Sequence, residues 1–217
     1  MHIVIGGVLG YAVGVGMGVL ARHFISRYSS QPMPVPSLLE VHGAISPLAA
    51  ITQAGMALLG AYVSWRALSI GQVVATLVVT GVLLTISLVD LEARRIPNAL
   101  CLMLVLWALV QMLWLGRPAP TAAALGMLVG GGLFLLVALA GRGAMGAGDV
   151  KFAAALGVVL GYPLIILALF WGIVAGGSAA LVLLATRRAG RKEYMAYGPY
   201  LALGAWVVWM ASLGLWM

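Results

Sequence analysis

The stretch Gly71–Asp90, GQVVATLVVTGVLLTISLVD, decides the fold. No charged residue interrupts the chain from Ala67 to Val89, and the run stops at an aspartate. An uncharged segment of about 18 or more residues is long enough to cross the ~30 Å hydrocarbon core as a helix, at ~1.5 Å per residue. Lipid leaves backbone polar groups no outside partner, so the helix satisfies its own. The rest of the chain repeats this pattern. It is 64% hydrophobic and 8% charged, with a mean hydropathy of +1.12. A water-soluble domain of 217 residues cannot bury that much apolar surface.

Working outward, the apolar runs predict spanning helices at Ile3–Ala21, Ala44–Trp65, Gly71–Val89, Asn98–Leu115, Thr121–Ala140, Leu164–Ala185 and Tyr200–Leu215. A shorter run, Val150–Leu160, lies between a glycine-rich loop and Gly161-Tyr162-Pro163. It covers only part of the bilayer and needs protein or water around its end. The expected fold is all-α: a polytopic membrane bundle of about eight helices, one of them short. The 29 glycines suit close helix packing. The first run has no basic residue before it, which reads as an uncleaved helix rather than a secretion signal. Residues 1–43 are expected to form the first membrane helix and a cytoplasmic loop, and 44–217 the membrane core.

The basic residues orient the bundle. With the N-terminus outside, Arg22, Arg27, Arg94, Arg95, Arg142, Lys151, Arg187, Arg188, Arg191 and Lys192 fall on the cytoplasmic side, and only Arg66 and Arg117 on the other. That asymmetry is the positive-inside pattern. It also accounts for the net charge of +7 without nucleic acid, since few aromatics accompany these residues. The single Cys101 allows neither an internal disulfide nor a cysteine-based metal site, and no cofactor is expected.

Five acids remain: Glu40, Asp90, Glu92, Asp149 and Glu193. Glu40 and Glu193 lie in loops and read as solvated. Asp90 follows an uncharged run, and Asp149 precedes the short one, behind Gly143-Ala144-Met145-Gly146-Ala147-Gly148. The Asn98–Leu115 and Thr121–Ala140 helices make an up-and-back hairpin between them, which returns both carboxylates to one membrane face. The bland reading is a pair of helix-end residues solvated at the interface. The glycines favour a working site, because they leave room for a substrate backbone. Close carboxylates share a proton, so one can draw a proton from water while the other gives one to a carbonyl or amine. A helix C-terminus disfavours ionisation at Asp90, and an N-terminus favours it at Asp149. Asp149 is therefore expected to be the base at rest.

These residues carry a family resemblance. Val89-Asp90 followed by Arg95-Ile96-Pro97-Asn98 resembles the first aspartate motif of the type IV prepilin leader peptidases, a GxGD-type aspartic membrane protease family. Gly146-Ala147-Gly148-Asp149-Val150-Lys151 is similar to the second, and Tyr197-Gly198-Pro199-Tyr200-Leu201-Ala202-Leu203-Gly204 to a third block. GxGD alone is a weak signal; three blocks in order at helix ends are specific. The likeness runs from about Ser46 onward. It implies cleavage of prepilin or pseudopilin precursors after a short basic leader ending in glycine, with Asp90 and Asp149 catalytic. Pro97, Asn98, Gly146, Gly148, Lys151, Gly198 and Pro199 would support them.

The chain departs from the common pattern between its first two helices. Many members carry two CxxC pairs there and also methylate the new N-terminus. Here Arg22–Gly43 holds no cysteine, and Ser46-Pro47-Leu48-Ala49-Ala50 replaces a segment that tends to carry a glutamate. The resemblance is thus to a short form, with zinc binding and methyl transfer not expected. Lys151 either tunes the site or reaches to the interface. Arg94 and Arg95 read as orienting charges, Glu92 as a solvated acid or a contact for the basic leader, and the tryptophans as belt or packing residues. The competing function is a proton-coupled carrier using the aspartates, which calls for acids near mid-membrane.

Overall fold

The computed structural model describes residues 2–28, 40–41, 44–45, 47–66, 69–141, 145–186 and 196–213. They form an all-α bundle: α1 (His2–Tyr28), α2 (Pro47–Trp65), α3 (Ile70–Ala93), α4 (Asn98–Leu115), α5 (Pro120–Ala140), α6 (Ala147–Leu160), α7 (Leu164–Ala185) and α8 (Gly198–Ser212). A small antiparallel pairing, Glu40–Val41 with Ala44–Ile45, precedes α2. Among the described residues, α1, α3, α4, α5 and α7 are long and apolar enough to cross a membrane, with span hydropathies of 2.0–2.3. Leu113 is 90% exposed and Leu58 72%. Side chains of that kind need lipid, not water, around them.

The chain divides into two compact units, Met1–Ala93 and Arg94–Met217. In the first unit α1 lies along α2 through glycines. A Cβ on Gly60 would run into the Gly6 carbonyl, and one on Gly10 into the Met56 carbonyl. Gly81 brings α3 against Val13 and Met17 of α1 in the same way. Without a hydrophobic drive between helices in lipid, such backbone approach is what dispersion packing needs.

In the second unit α6 is the central helix, touching α4, α5, α7 and α8. From Phe152 to Leu160 it is buried except at Ala154. Its 14 residues are thus tolerated, because protein surrounds it. Gly126 of α5 meets Gly157 of α6, and Gly130 meets Ala153, an antiparallel register that also sets Phe134 level with Asp149. Gly172 and Gly204 bring α7 and α8 together likewise. The turns at the far end are closed by Gly116 (φ 67°) and Gly161 (φ 73°), left-handed positions that favour glycine. Tyr162 N–H donates to the Ala122 carbonyl across them at 2.8 Å.

Several helix boundaries differ from the hydropathy reading. α1 does not stop at Ala21 but carries the exposed Arg22 and Arg27 in its last turns. α2 begins at Pro47, not Ala44, since proline lacks the N–H that a first turn leaves unpaired. α8, Gly198–Ser212, begins before Tyr200, and the expected end at Leu215 lies outside the described residues. Arg142, Arg187, Arg188, Arg191, Lys192 and Glu193 lie outside the described residues.

Candidate active site

Asp90 belongs to the first unit and Asp149 to the second. Asp90 sits three residues before the end of α3, which continues to Ala93 instead of stopping at Val89. It is 5% exposed, and it is the only buried charged residue among the described residues. Thr76, Thr80 and Thr85 are buried on the same helix. Thr76 donates to the Gln72 carbonyl and Thr85 to the Gly81 carbonyl, so these hydroxyls are satisfied within α3. Immediately after α3, Arg94 takes φ 49°, an uncommon conformation for a side chain that large.

Asp149 is the third residue of α6, not a residue before it. Gly146 is the N-cap, and the Asp149 N–H donates to its carbonyl at 3.1 Å. The carboxylate folds back over that cap: a Cβ on Gly146 would stand 3.3 Å from Asp149 Oδ2. Gly146 is therefore the residue that leaves the carboxylate its space. Gly148 performs a different task. A Cβ there would stand 3.3 Å from Ile96 Cβ, so its bareness lets the segment before α4 lie against the start of α6.

That segment is ordered by its own sequence. Pro97 is buried, with φ −64° and ψ 131°, and forms the N-cap of α4. Asn98, the first helical residue, accepts a hydrogen bond at its Oδ1 from Lys151 Nζ at 3.2 Å. Lys151 does turn away from Asp149, as two residues along a helix require, and the side it turns to holds Asn98. The Arg95–Asn98 part of the first sequence block and the second block are thus physically joined within one unit.

The third block completes the unit. Pro199 lies in the first turn of α8, where its missing N–H costs nothing. Gly198 is buried. Tyr197, just outside the helix, rests its ring on Gly176 of α7 and stands 6.2 Å from Phe134 and 6.3 Å from Tyr200, centroid to centroid. Burial raises its phenol pKa above the ordinary value, and the negative charge of Asp149 raises it further. Sequence reasoning quoted Tyr197 and Ile96 inside their motifs but gave neither a role. The glycines facing them, Gly176 and Gly148, were the available signal.

One consequence of the α5–α6 register concerns depth. Asp149 is level with Phe134, yet α5 continues to Ala140. Six further residues at ~1.5 Å each put Asp149 about 9 Å short of the end of α5. The carboxylate is recessed along the bundle, not placed at its rim. Among the described residues no group of three or more histidines, cysteines and acids could hold a metal ion.

Fold and comparisons together define a multi-pass bacterial membrane protein. A sequence model of the type IV leader peptidase family matches residues 77–181, which include both aspartates. A prepilin leader peptidase/N-methyltransferase of Pseudomonas putida is 32% identical over 190 residues, 81% of this chain and 65% of that protein. Those of Neisseria gonorrhoeae and Pseudomonas aeruginosa are 30% identical over 145 residues and 29% over 170. They cover 64% and 72% of this chain, and 49% and 56% of their own lengths. No solved structure matches the chain. The chain matches the type IV leader peptidase family over residues 77–181, and it spans between 49% and 65% of the length of these curated relatives.

Proposed function

We propose that this protein is an intramembrane aspartic endopeptidase that removes the short basic leader of type IV prepilin or pseudopilin precursors, using water activated by Asp90 and Asp149. The observation that carries the reading is the gathering of Ile96–Asn98, Gly146–Lys151 and Tyr197–Pro199 around Asp149 in a chain that matches this family. In the proposed step the ionised aspartate takes a proton from water, and the oxygen attacks the scissile carbonyl. The protonated aspartate supplies a proton as the C–N bond breaks and the amine leaves. Asp149, at a helix N-terminus with its carboxylate turned over the cap, suits the base; Asp90, buried at a helix C-terminus, suits the acid.

The distribution of basic residues supports a cytoplasmic site in the bacterial inner membrane, where a basic leader would remain while its apolar helix lies in lipid. The relatives' names include methyl transfer. For this chain we expect none, because Arg22–Gly43 carries no cysteine. The test incubates purified protein with a prepilin, follows the size shift on a gel and weighs the new N-terminus by mass spectrometry. Cleavage by wild type and none by folded Asp90→Asn or Asp149→Asn is the expected result. A variant that cleaves at the normal rate would end the two-aspartate mechanism.

A further inference from the structure

The other end of the second unit holds a cavity of about 520 Å³ that the proposed peptidase chemistry does not use. It lies where α4 and α6 end, α5 and α7 begin, and α8 finishes, lined by Arg117, Leu160, Tyr162, Leu164, Trp209 and Ser212 among others. Its depth in the bilayer follows from α6. That helix rises ~17 Å from Asp149 to Leu160, and Asp149 stands about 9 Å inside the opposite end of α5, giving ~26 Å, close to the ~30 Å hydrocarbon thickness. The cavity is therefore at headgroup level, on the face away from Asp149.

Its chemistry is two-sided. Trp209, Val159 and Leu160 are buried and apolar, whereas Arg117 and Tyr162 are exposed at the mouth. Among the described residues, Arg117 is the only charged residue of the lining. Its loop is held in place by Gln111, fully buried in α4, whose Nε2 donates to the Arg117 carbonyl at 3.0 Å and reaches the Val159 carbonyl at 3.5 Å. An arginine at the mouth of an apolar recess at this depth complements a phosphate attached to a hydrocarbon chain.

We propose that this recess binds one anionic phospholipid, its phosphate at Arg117 and its glycerol and upper acyl carbons against Leu160, Leu164 and Trp209. The site stands apart from the peptidase reading, and its test reads bound lipid rather than cleavage. Delipidated full-length protein in a non-ionic detergent is mixed with equal amounts of dioleoylphosphatidylglycerol and dioleoylphosphatidylcholine, and the adducts are counted by native mass spectrometry. Wild type should retain about fivefold more phosphatidylglycerol, the preference that one lipid-facing cation supplies. Arg117→Lys should keep that preference. Arg117→Gln should lose it, while Arg22→Gln, with the same charge loss on α1, should not. Ala119→Trp, which fills the mouth, should reduce retention of phosphatidylglycerol to the level of Arg117→Gln with helicity unchanged. Equal retention of the two lipids by wild type, or an intact preference in Arg117→Gln, overturns the proposal.

Discussion

Asp90 and Asp149 are both aspartates at helix ends, but their helices present opposite ends. Asp90 is deep in the last turns of a 24-residue helix, 5% exposed and followed by a residue in the left-handed conformation. Asp149 is half-buried in the first turn of a 14-residue helix, among glycines that keep space around it. A carboxylate held in low dielectric near unpaired carbonyls favours its neutral form, and one near unpaired N–H groups favours its charged form. Under the proposed mechanism, this difference in helix end and burial is what would assign base and acid to two identical side chains.

The sharpest way to break that comparison is to remove each carboxylate. Asp149→Asn and Asp90→Asn should each lower prepilin cleavage by about 10²–10⁴-fold, the range for a lost general base or acid. Single-turnover cleavage assays check it. If one variant retains most of the rate, the two positions do not share the reaction. Next in size is the packing that positions Asp149. Gly157→Leu would drive a side chain into the Gly126 backbone and should destabilise the second unit by about 3 kcal/mol or more, since backbone cannot yield as a side chain does. Thermal unfolding in detergent measures this. The smaller Gly148→Ala meets Ile96 at 3.3 Å and should cost about 1 kcal/mol, with cleavage falling more than stability.

A spectroscopic reporter sharpens the comparison from the Asp149 side. Tyr197 should ionise above the ordinary phenol value of about 10. Asp149→Asn should lower its pKa, but not fully, because burial is the larger cause. Ultraviolet difference titration, with Tyr197→Phe to identify the signal, gives the answer. The sign for stability follows from proton binding. The folded state holds the phenolic proton more tightly, so this contribution is intact below the unfolded pKa and lost as pH rises through the folded one. The smallest effect belongs to Lys151→Met. Its hydrogen bond to Asn98 is exposed, so removal should cost at most about 1 kcal/mol and change cleavage only a few-fold.

Much of this architecture was legible from apolar runs, because a helix that faces lipid must advertise its length in composition. The Asn98–Leu115 helix matched to the residue, having Pro97 before it and Gly116 after it. Boundaries marked by charge were less legible. Hydropathy stops at Arg22, yet arginine is a good helix former and α1 continues through it. The glycine before Asp149 read as loop, whereas Gly146 is a cap and Gly148 is already helical. The motifs supplied Asp149, Lys151 and Asn98, but not that the lysine reaches the asparagine, which depends on the packing of α4 against α6. The role of Tyr197 was hidden for the same reason: its partners, Gly176 and Phe134, come from two other helices.

The offset between α5 and α6 turns a packing register into a ruler. Two contacts four residues apart, Gly126 with Gly157 and Gly130 with Ala153, fix how far Asp149 lies from the end of α5. Sliding α6 by one turn would move the carboxylate by ~5.4 Å. An extended peptide advancing ~3.3 Å per residue needs about three residues to cover the present ~9 Å. In the proposed peptidase, position along a bound chain would be counted in residues by a pair of bare backbones, well away from the carboxylate they place.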